Sequence, residues 1–194
     1  VIDHTTTSTA GARERTARED IVYVHAPVFM GPQNALESTG LMLVSGDRGR
    51  VERVAPLLRP MTGKLVDLGE RVDAAAAFKL MGNTFLMGFT AAIADLIGLG
   101  KALGFAPAEA ITLFDHFNPG AMAPQRAKRM AAGHFAQPSW ELQMARKDAR
   151  LVQAEVERAR VALTLVPAIA TRMDAMIQRG HAHDDWTVIA KDYV

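Results

Sequence analysis

Lys79 and Asn83 stand four residues apart in the run Asp-Ala-Ala-Ala-Ala-Phe-Lys-Leu-Met-Gly-Asn that spans Asp73 to Asn83. On a helix they share one face, a turn apart, with small Ala75 one turn below the lysine, a surface that could hold a small polar substrate. An ammonium group in such apolar company is disfavoured by desolvation, which lowers the lysine pKa from about 10.4 toward the range useful for proton transfer. The other reading is a lysine that snorkels its head to water from an apolar helix. Periodicity alone favours snorkelling, because structural lysines outnumber catalytic ones. A second cluster, His181, His183, Asp184 and Asp185, has metal-ligand residue types. Its histidines at i and i+2 do not share a helix face and follow the helix-stopping Gly180, so no metal is expected there. The methionines and Phe85, Phe89, Phe114 and Phe117 fall at helical spacings and read as core.

Composition limits what these groups serve. The 194 residues are 49% hydrophobic and 22% charged with a formal net charge of +1, enough for one good core or two small ones. No dense basic run with interleaved aromatics marks a nucleic-acid surface, so no nucleic acid is expected. The lack of cysteine excludes disulfides, thiolate zinc sites and cysteine nucleophiles, and fits a cytoplasmic location. The most apolar run, Thr84 to Gly100, contains Asp95 and several glycines. It reads as a buried helix, with no membrane expected.

The elements that must position the lysine follow from local pattern. Val1-Ile2-Asp3 reads as part of a strand, ended by a hydroxyl-rich turn. Ser8 or Thr9 caps a helix to about Glu19, Ile21 to Ala26 is a strand stopped by Pro27, and a turn-rich segment covers Phe29 to Asn34. Leu41 to Ser45 is a strand, Asp47 caps a helix with a cost at Pro56, and Lys64 to Leu68 is a strand. From Arg71 the composition shifts to Ala, Leu and Met. A helix from about Val72 to Leu103 would run roughly 48 Å, too long for one small core, and its apolar circumference suggests burial against a second subunit. Helices at Pro107 to Phe117, Ala121 to Ala132, Trp140 to Arg160 (capped by Ser139) and from Pro167 to Gly180 complete the chain.

Several stretches, in order, carry a resemblance. They are Asp3-His4-Thr5-Thr6-Thr7-Ser8, Ala26-Pro27-Val28-Phe29-Met30-Gly31, Phe78-Lys79-Leu80-Met81-Gly82-Asn83, Gly133 to Trp140 with Lys147-Asp148-Ala149-Arg150-Leu151, and Gly180 through Asp185-Trp186-Thr187. Together they resemble the β-hydroxyacid dehydrogenase family, typified by 3-hydroxyisobutyrate dehydrogenase, over nearly the whole chain. The resemblance implies an α/β plus all-α protein: the C-terminal half of a Rossmann-type dinucleotide-binding domain at 1–70, then a helical substrate and dimerisation domain at 71–194 with one long central helix. It implies hydride transfer between NAD or NADP and a small hydroxyacid, aldehyde or related carbonyl. Lys79 would be the general acid/base and Asn83 would hold the same substrate oxygen. Phe29, Met30 and Gly31 would stand in the substrate loop, and Thr6 and Lys147 would meet the cofactor. A homodimer or higher homo-oligomer is expected through the helical domain.

Departures from the family pattern shape the expectation. Phe29 and Met30 stand where the family has Ser-Gly, which removes a hydroxyl and a close backbone approach from the carboxylate grip. Asp73 and Ala75 replace glycines ahead of the lysine. The Gly-x-Gly-x-x-Gly phosphate turn is not among these residues, and about 90 residues of βαβ-type structure would precede them, so the chain reads as the C-terminal two-thirds of such an enzyme. Two other readings are a non-catalytic helical dimerisation module and a reductase of the same fold acting on imines or apolar carbonyls.

Overall fold

Short β-branched and apolar runs build the sheet region of the first half of the chain. In the computed structural model, which describes residues 1–194, β1 (Ile2–Asp3) pairs in parallel with β2 (Val24–His25), Ile2 opposite Val24. Next, β3 (Val28–Phe29) pairs antiparallel with β4 (Leu41–Val44), Phe29 opposite Leu41, and β4 pairs in parallel with β5 (Lys64–Asp67). The Pro27 segment joins the two ladders: Ala26 N donates to Asp3 O at 2.8 Å, and Leu43 N donates to Pro27 O at 2.9 Å. Helix α1 (Thr9–Thr16) is capped by Ser8, whose hydroxyl accepts from Gly11 N. Two elements lie where only a turn was expected, β3 and the one-turn helix α2 (Pro32–Leu36). A two-residue strand is too short to show alternation, so pairing with β4 alone defines it.

Helix α3 (Arg48–Leu58) starts at Asp47 as its side chain requires, accepting from Arg50 N. It lays Val51, Val54 and Leu58 against Val24, Ala26, Met42, Val44 and Leu65. This is the core of one compact unit, Val1–Met87, and Gly88–Val194 forms the other. The unit boundary falls inside α4 (Ala74–Ala102), the long helix.

In the second unit, the short α5 (Pro107–Ala110) and α6 (Leu113–His116) replace the single helix expected there. They are followed by α7 (Ala123–Ala131), α8 (Leu142–Arg158), α9 (Leu165–Gln178) and a terminal 3-10 stretch, Trp186–Tyr193. Phe135, Leu142, Ala145, Met173, Met176 and Val188 form its core. Gly98 and Gly100 give α4 close neighbours. A Cβ at Gly100 would stand 2.6 Å from that of Ala110, and one at Gly98 would stand 3.0 Å from Leu163.

Two expectations of burial need correction. The stretch of α4 read as a buried helix is mostly uncovered in the chain, with Leu86 50% and Met87 66% exposed. Phe85, Phe89, Phe114 and Phe117, expected in the core, are exposed as well. Helical spacing marks these residues as an apolar face, but the rest of the chain leaves much of it uncovered.

Candidate active site

The start of α4 is held from three sides within the first unit. Ser45, at the end of β4, accepts from Ala75 N at 2.9 Å and donates to Val72 O at 3.3 Å, so a buried hydroxyl satisfies one of the helix's orphan amides. The buried carboxylate of Asp73 receives Arg71 Nε at 2.6 Å and pairs with Arg13 from α1. The Arg71 hydrogen bond, reinforced by Arg13, keeps that carboxyl below its ordinary pKa against the opposing effect of burial. Ala74, Ala75 and Ala76 are buried, and their small side chains let the first turn sit close to the sheet.

This anchoring fixes the azimuth of the next turn, where Lys79 and Asn83 are both half-buried. Burial lowers the Lys79 pKa from its ordinary value, and no charged neighbour contributes. Its Nζ lies 4.0 Å from the centroid of the Phe29 ring. The ring fits where Gly82 has no side chain, since a Cβ there would meet Phe29 Cζ at 2.3 Å. Lys79, Gly82 and Phe29 therefore form one assembly. A glycine three residues after the lysine in a good helix-forming run was the available signal for it.

Adjacent residues in extended chain point to opposite faces, and the substrate loop divides accordingly. Phe29 turns to α4, whereas Met30 lines an apolar cavity of about 260 Å³ with His4, Val28, Ala35, Ser38, Met42 and Met61. Gly31 N donates to Asn34 Oδ1 at 2.9 Å, and Asn34 Nδ2 donates to Thr39 Oγ1 at 3.0 Å. Gln33 bonds Glu37. The polar groups next to Phe29 and Met30 are thus engaged within the loop itself.

Thr6 is exposed in the turn that follows β1. Asp3 organises this turn, accepting from Thr5 N at 2.9 Å, Thr5 Oγ1 at 2.7 Å and Tyr23 Oη at 2.6 Å. Burial alone would raise the Asp3 pKa, but the bonds from Thr5 and Tyr23 prevail and hold it at about 2. His25, buried on β2, lies 2.9 Å through Nε2 from Thr5 O. The Asp-x-Thr turn is legible in sequence as a side-chain-to-backbone motif, whereas Tyr23 and His25 carry no local mark of their part in it.

In the second unit Lys147 lies exposed on α8, its Nζ 3.3 Å from Asp148. His181 pairs with Asp184, and His183 with Glu141, while Asp185 is fully buried away from them. Asp185 accepts from Ser139 N and Oγ at 2.7 and 2.8 Å and from Thr187 N and Oγ1 at 3.0 and 2.5 Å, and Arg129 stands 3.2 Å away. Burial opposes its charge, but the bonds from Thr187 and Ser139 outweigh it and leave the pKa at about 2. Ser139 is consequently not the cap expected for α8. Glu141 takes that position without a side-chain bond, because the serine hydroxyl is committed to Asp185.

The fold comprises an α/β part followed by a helical part. Residues 1–69 match the NAD binding domain of 6-phosphogluconate dehydrogenase. The chain is similar to the probable 3-hydroxyisobutyrate dehydrogenase of Mycobacterium bovis, 34% identical over 117 residues that make up 59% of this chain and 38% of that protein. It is similar also to an uncharacterised oxidoreductase of Synechocystis, 29% identical over 182 residues, 91% of this chain and 62% of that protein. The matched stretches span less than two thirds of either relative. In fold it is similar to the imine reductase from Myxococcus stipitatus in complex with NADP+, with a TM-score of 0.89 at 18% identity over 98% of this chain and 68% of that one. The reductive aminase from Aspergillus terreus in complex with NADPH and ethyl-5-oxohexanoate gives 0.88 at 15% identity over 100% of this chain and 69% of that one. The chain is thus similar in sequence to a 3-hydroxyisobutyrate dehydrogenase and in fold to imine reductases.

Proposed function

We propose that the protein is an NAD(P)-dependent oxidoreductase acting at a hydroxyl-bearing or carbonyl carbon, with Lys79 as its general acid/base. The observation that carries this reading is a half-buried lysine with no counter-ion, held on a helix whose start is anchored by Ser45 and Asp73. During reduction its ammonium donates a proton to the developing alkoxide, and during oxidation the neutral amine accepts the hydroxyl proton. The Asn83 amide, one turn on, hydrogen-bonds the same oxygen and fixes its approach. When bound, the dinucleotide supplies or accepts the hydride.

The residues present fit such a cofactor at one place in the first unit. Thr6 stands exposed just beyond the carboxyl end of a parallel strand, where open α/β sheets take their ligands, and Asp3 holds the turn that carries it. Lys147 is the second group assigned to the cofactor, and its exposed ammonium suits a phosphate. Residues 1–70 then form the dinucleotide-binding part and 71–194 the helical substrate and dimerisation domain of a cytoplasmic enzyme. Titrating the protein with NADH and NADPH tests this reading against a non-catalytic dimerisation module. Saturable binding supports the enzyme, and its absence in a chain that carries the whole dinucleotide domain supports the module.

A second reading narrows the substrate to an imine or an apolar carbonyl. The motive is the loop at Phe29 to Asn34, where a phenyl ring replaces a donor and Gly31 N–H is already engaged by Asn34. We propose, too, that a second copy of the chain covers the apolar face of α4. Phe78, Met81, Leu86 and Met87 are each about half exposed or more, and anchors at both ends of α4 argue against the membrane span that its length and composition would also suit. Light scattering at micromolar concentration should give a dimer or larger, Met87→Glu should shift it toward monomer, and a monodisperse monomer of the unmodified chain removes the proposal.

A further inference from the structure

The Phe29 ring has a second neighbour besides any substrate, and that neighbour is the lysine. Phe29 sits at the end of β3, opposite Leu41, so its backbone is fixed by the ladder. Its ring enters the space that Gly82, three residues after Lys79, leaves on α4, with Cζ, Cε1 and Cε2 all within 3.3 Å of where a Cβ would be. The Lys79 ammonium then lies over the ring at 4.0 Å from its centroid, well inside the roughly 6 Å reach of a cation–π contact.

We propose that Phe29 is the positioning residue of Lys79, its ring forming the platform that holds the lysine charged and in one place on the helix face. A serine at this position, as in the family pattern, offers a hydroxyl to a substrate but no surface to an ammonium. The exchange of donor for platform has a chemical consequence. Desolvation alone disfavours the ammonium, and the negative face of the ring favours it, so the two act in opposite directions on the same group. No carboxylate, guanidinium or imidazole from β3, α4 or any other element contributes to the balance. A lysine kept charged without a carboxylate partner is a proton donor whose ammonium is not neutralised by the protein, which suits reduction of a neutral carbonyl or imine. This deepens the proposed role of Lys79 and rests on it for its consequence, but its measurement does not.

The test uses the full chain with lysine labelled at Cε and Nζ and followed by NMR through a pH titration. There are six lysines, and Lys79→Arg identifies the signal. In the unmodified protein the Lys79 Cε protons should be shifted upfield of the other lysines by the ring current. Phe29→Leu, which keeps an apolar side chain and removes the π face, should abolish that shift and lower the Lys79 pKa by about half a unit to one unit. Gly82→Ala should do the same with β3 untouched, because its methyl displaces the far end of the ring. Phe29→Trp should restore the shift and the pKa. Where reduction can be assayed, the rate falls as pH rises through the lysine pKa, so Phe29→Leu moves that limb to lower pH and Phe29→Trp moves it back. A side chain that only packs would lower the thermal midpoint and leave the titration where it was. An unshifted Lys79 signal, or a pKa unchanged in both Phe29→Leu and Gly82→Ala, overturns the proposal. If the titration behaves as expected but Lys79→Ala retains turnover, it is the proposed function that fails instead.

Discussion

The surroundings of Lys79 and of Asp185 show two ways in which this chain places an ionisable group. Asp185 is closed on every side: both oxygens are filled by Ser139 and Thr187, and Arg129 stands beside them. Four donors and a cation are complete satisfaction for a buried carboxylate, and nothing is left with which to meet a ligand. Lys79 is the opposite case. It is half-buried, has no counter-ion, and rests on a ring that accepts no proton and fills no donor. Satisfied polar groups stabilise a fold, whereas an ionisable group kept partly desolvated and unneutralised retains its capacity to exchange a proton. Both stretches carry family resemblance in sequence, so only their surroundings separate a structural acid from a candidate catalytic base.

The sharpest way to break this contrast is Lys79→Ala in the intact enzyme. Turnover should fall by about 10²- to 10⁴-fold with cofactor affinity within about threefold, because a positioned acid/base is lost and no cofactor contact is. Single-turnover kinetics and cofactor titration decide, and turnover within about threefold of the parent ends the general acid/base assignment.

Asp185→Ala should act in the other coordinate. Removing the acid leaves buried donors from Ser139 and Thr187 and a nearby guanidinium unanswered, a loss of about 3 to 5 kcal/mol in denaturant unfolding. The same carboxylate sets an acid limit. Its pKa of about 2 lies below the unfolded value, so its stabilisation is complete above about pH 4 and disappears as pH falls toward 2. Asp3 loses its contribution over the same window. An acid titration of Asp185→Ala should accordingly be flatter than that of the parent between about pH 4 and 2, and an identical slope would contradict the linkage.

A smaller effect is expected at the substrate loop. Phe29→Ser should move the kcat/KM ratio for a hydroxyacid over a matched apolar aldehyde by about tenfold or more toward the acid, since one hydrogen bond to a charged group is worth roughly 1.5 to 3 kcal/mol. Measuring both compounds in the reduction direction, the acid in its oxo form, makes any change in Lys79 enter both alike. An unchanged ratio with a lowered thermal midpoint would mean that the ring does not discriminate against the substrate's acid group. Smallest of all, Lys147→Ala should weaken cofactor binding by about two- to fivefold without altering turnover, the scale of one exposed charge. Isothermal titration checks it, and unchanged affinity removes Lys147 from the cofactor set.

Much of this was present in local pattern. Asp47 and Ser8 declare helix starts because a cap needs only its own side chain and an amide three residues on. The placement of Lys79 and Asn83 on one helix face follows from a period of 3.6 residues in a run with no breaker. The exposure of the phenylalanines did not follow, since periodicity identifies an apolar face and not whether anything in the same chain covers it.

What the amino-acid order determined by itself was therefore the local geometry: the caps, the long helix Ala74–Ala102, and which side chains share its faces. Only the tertiary structure decided what those faces meet. Asp95, mid-helix and unremarked by its neighbours, caps α9 by accepting from Thr164, Leu165 and Val166, 69 to 71 residues away. Ser139 gives up a helix cap for Asp185, and Phe29 crosses from its strand to the gap at Gly82. Such contacts join segments far apart in the chain, and their energy comes from burial and hydrogen bonding between surfaces that exist only once both segments have folded, so no local spacing records them.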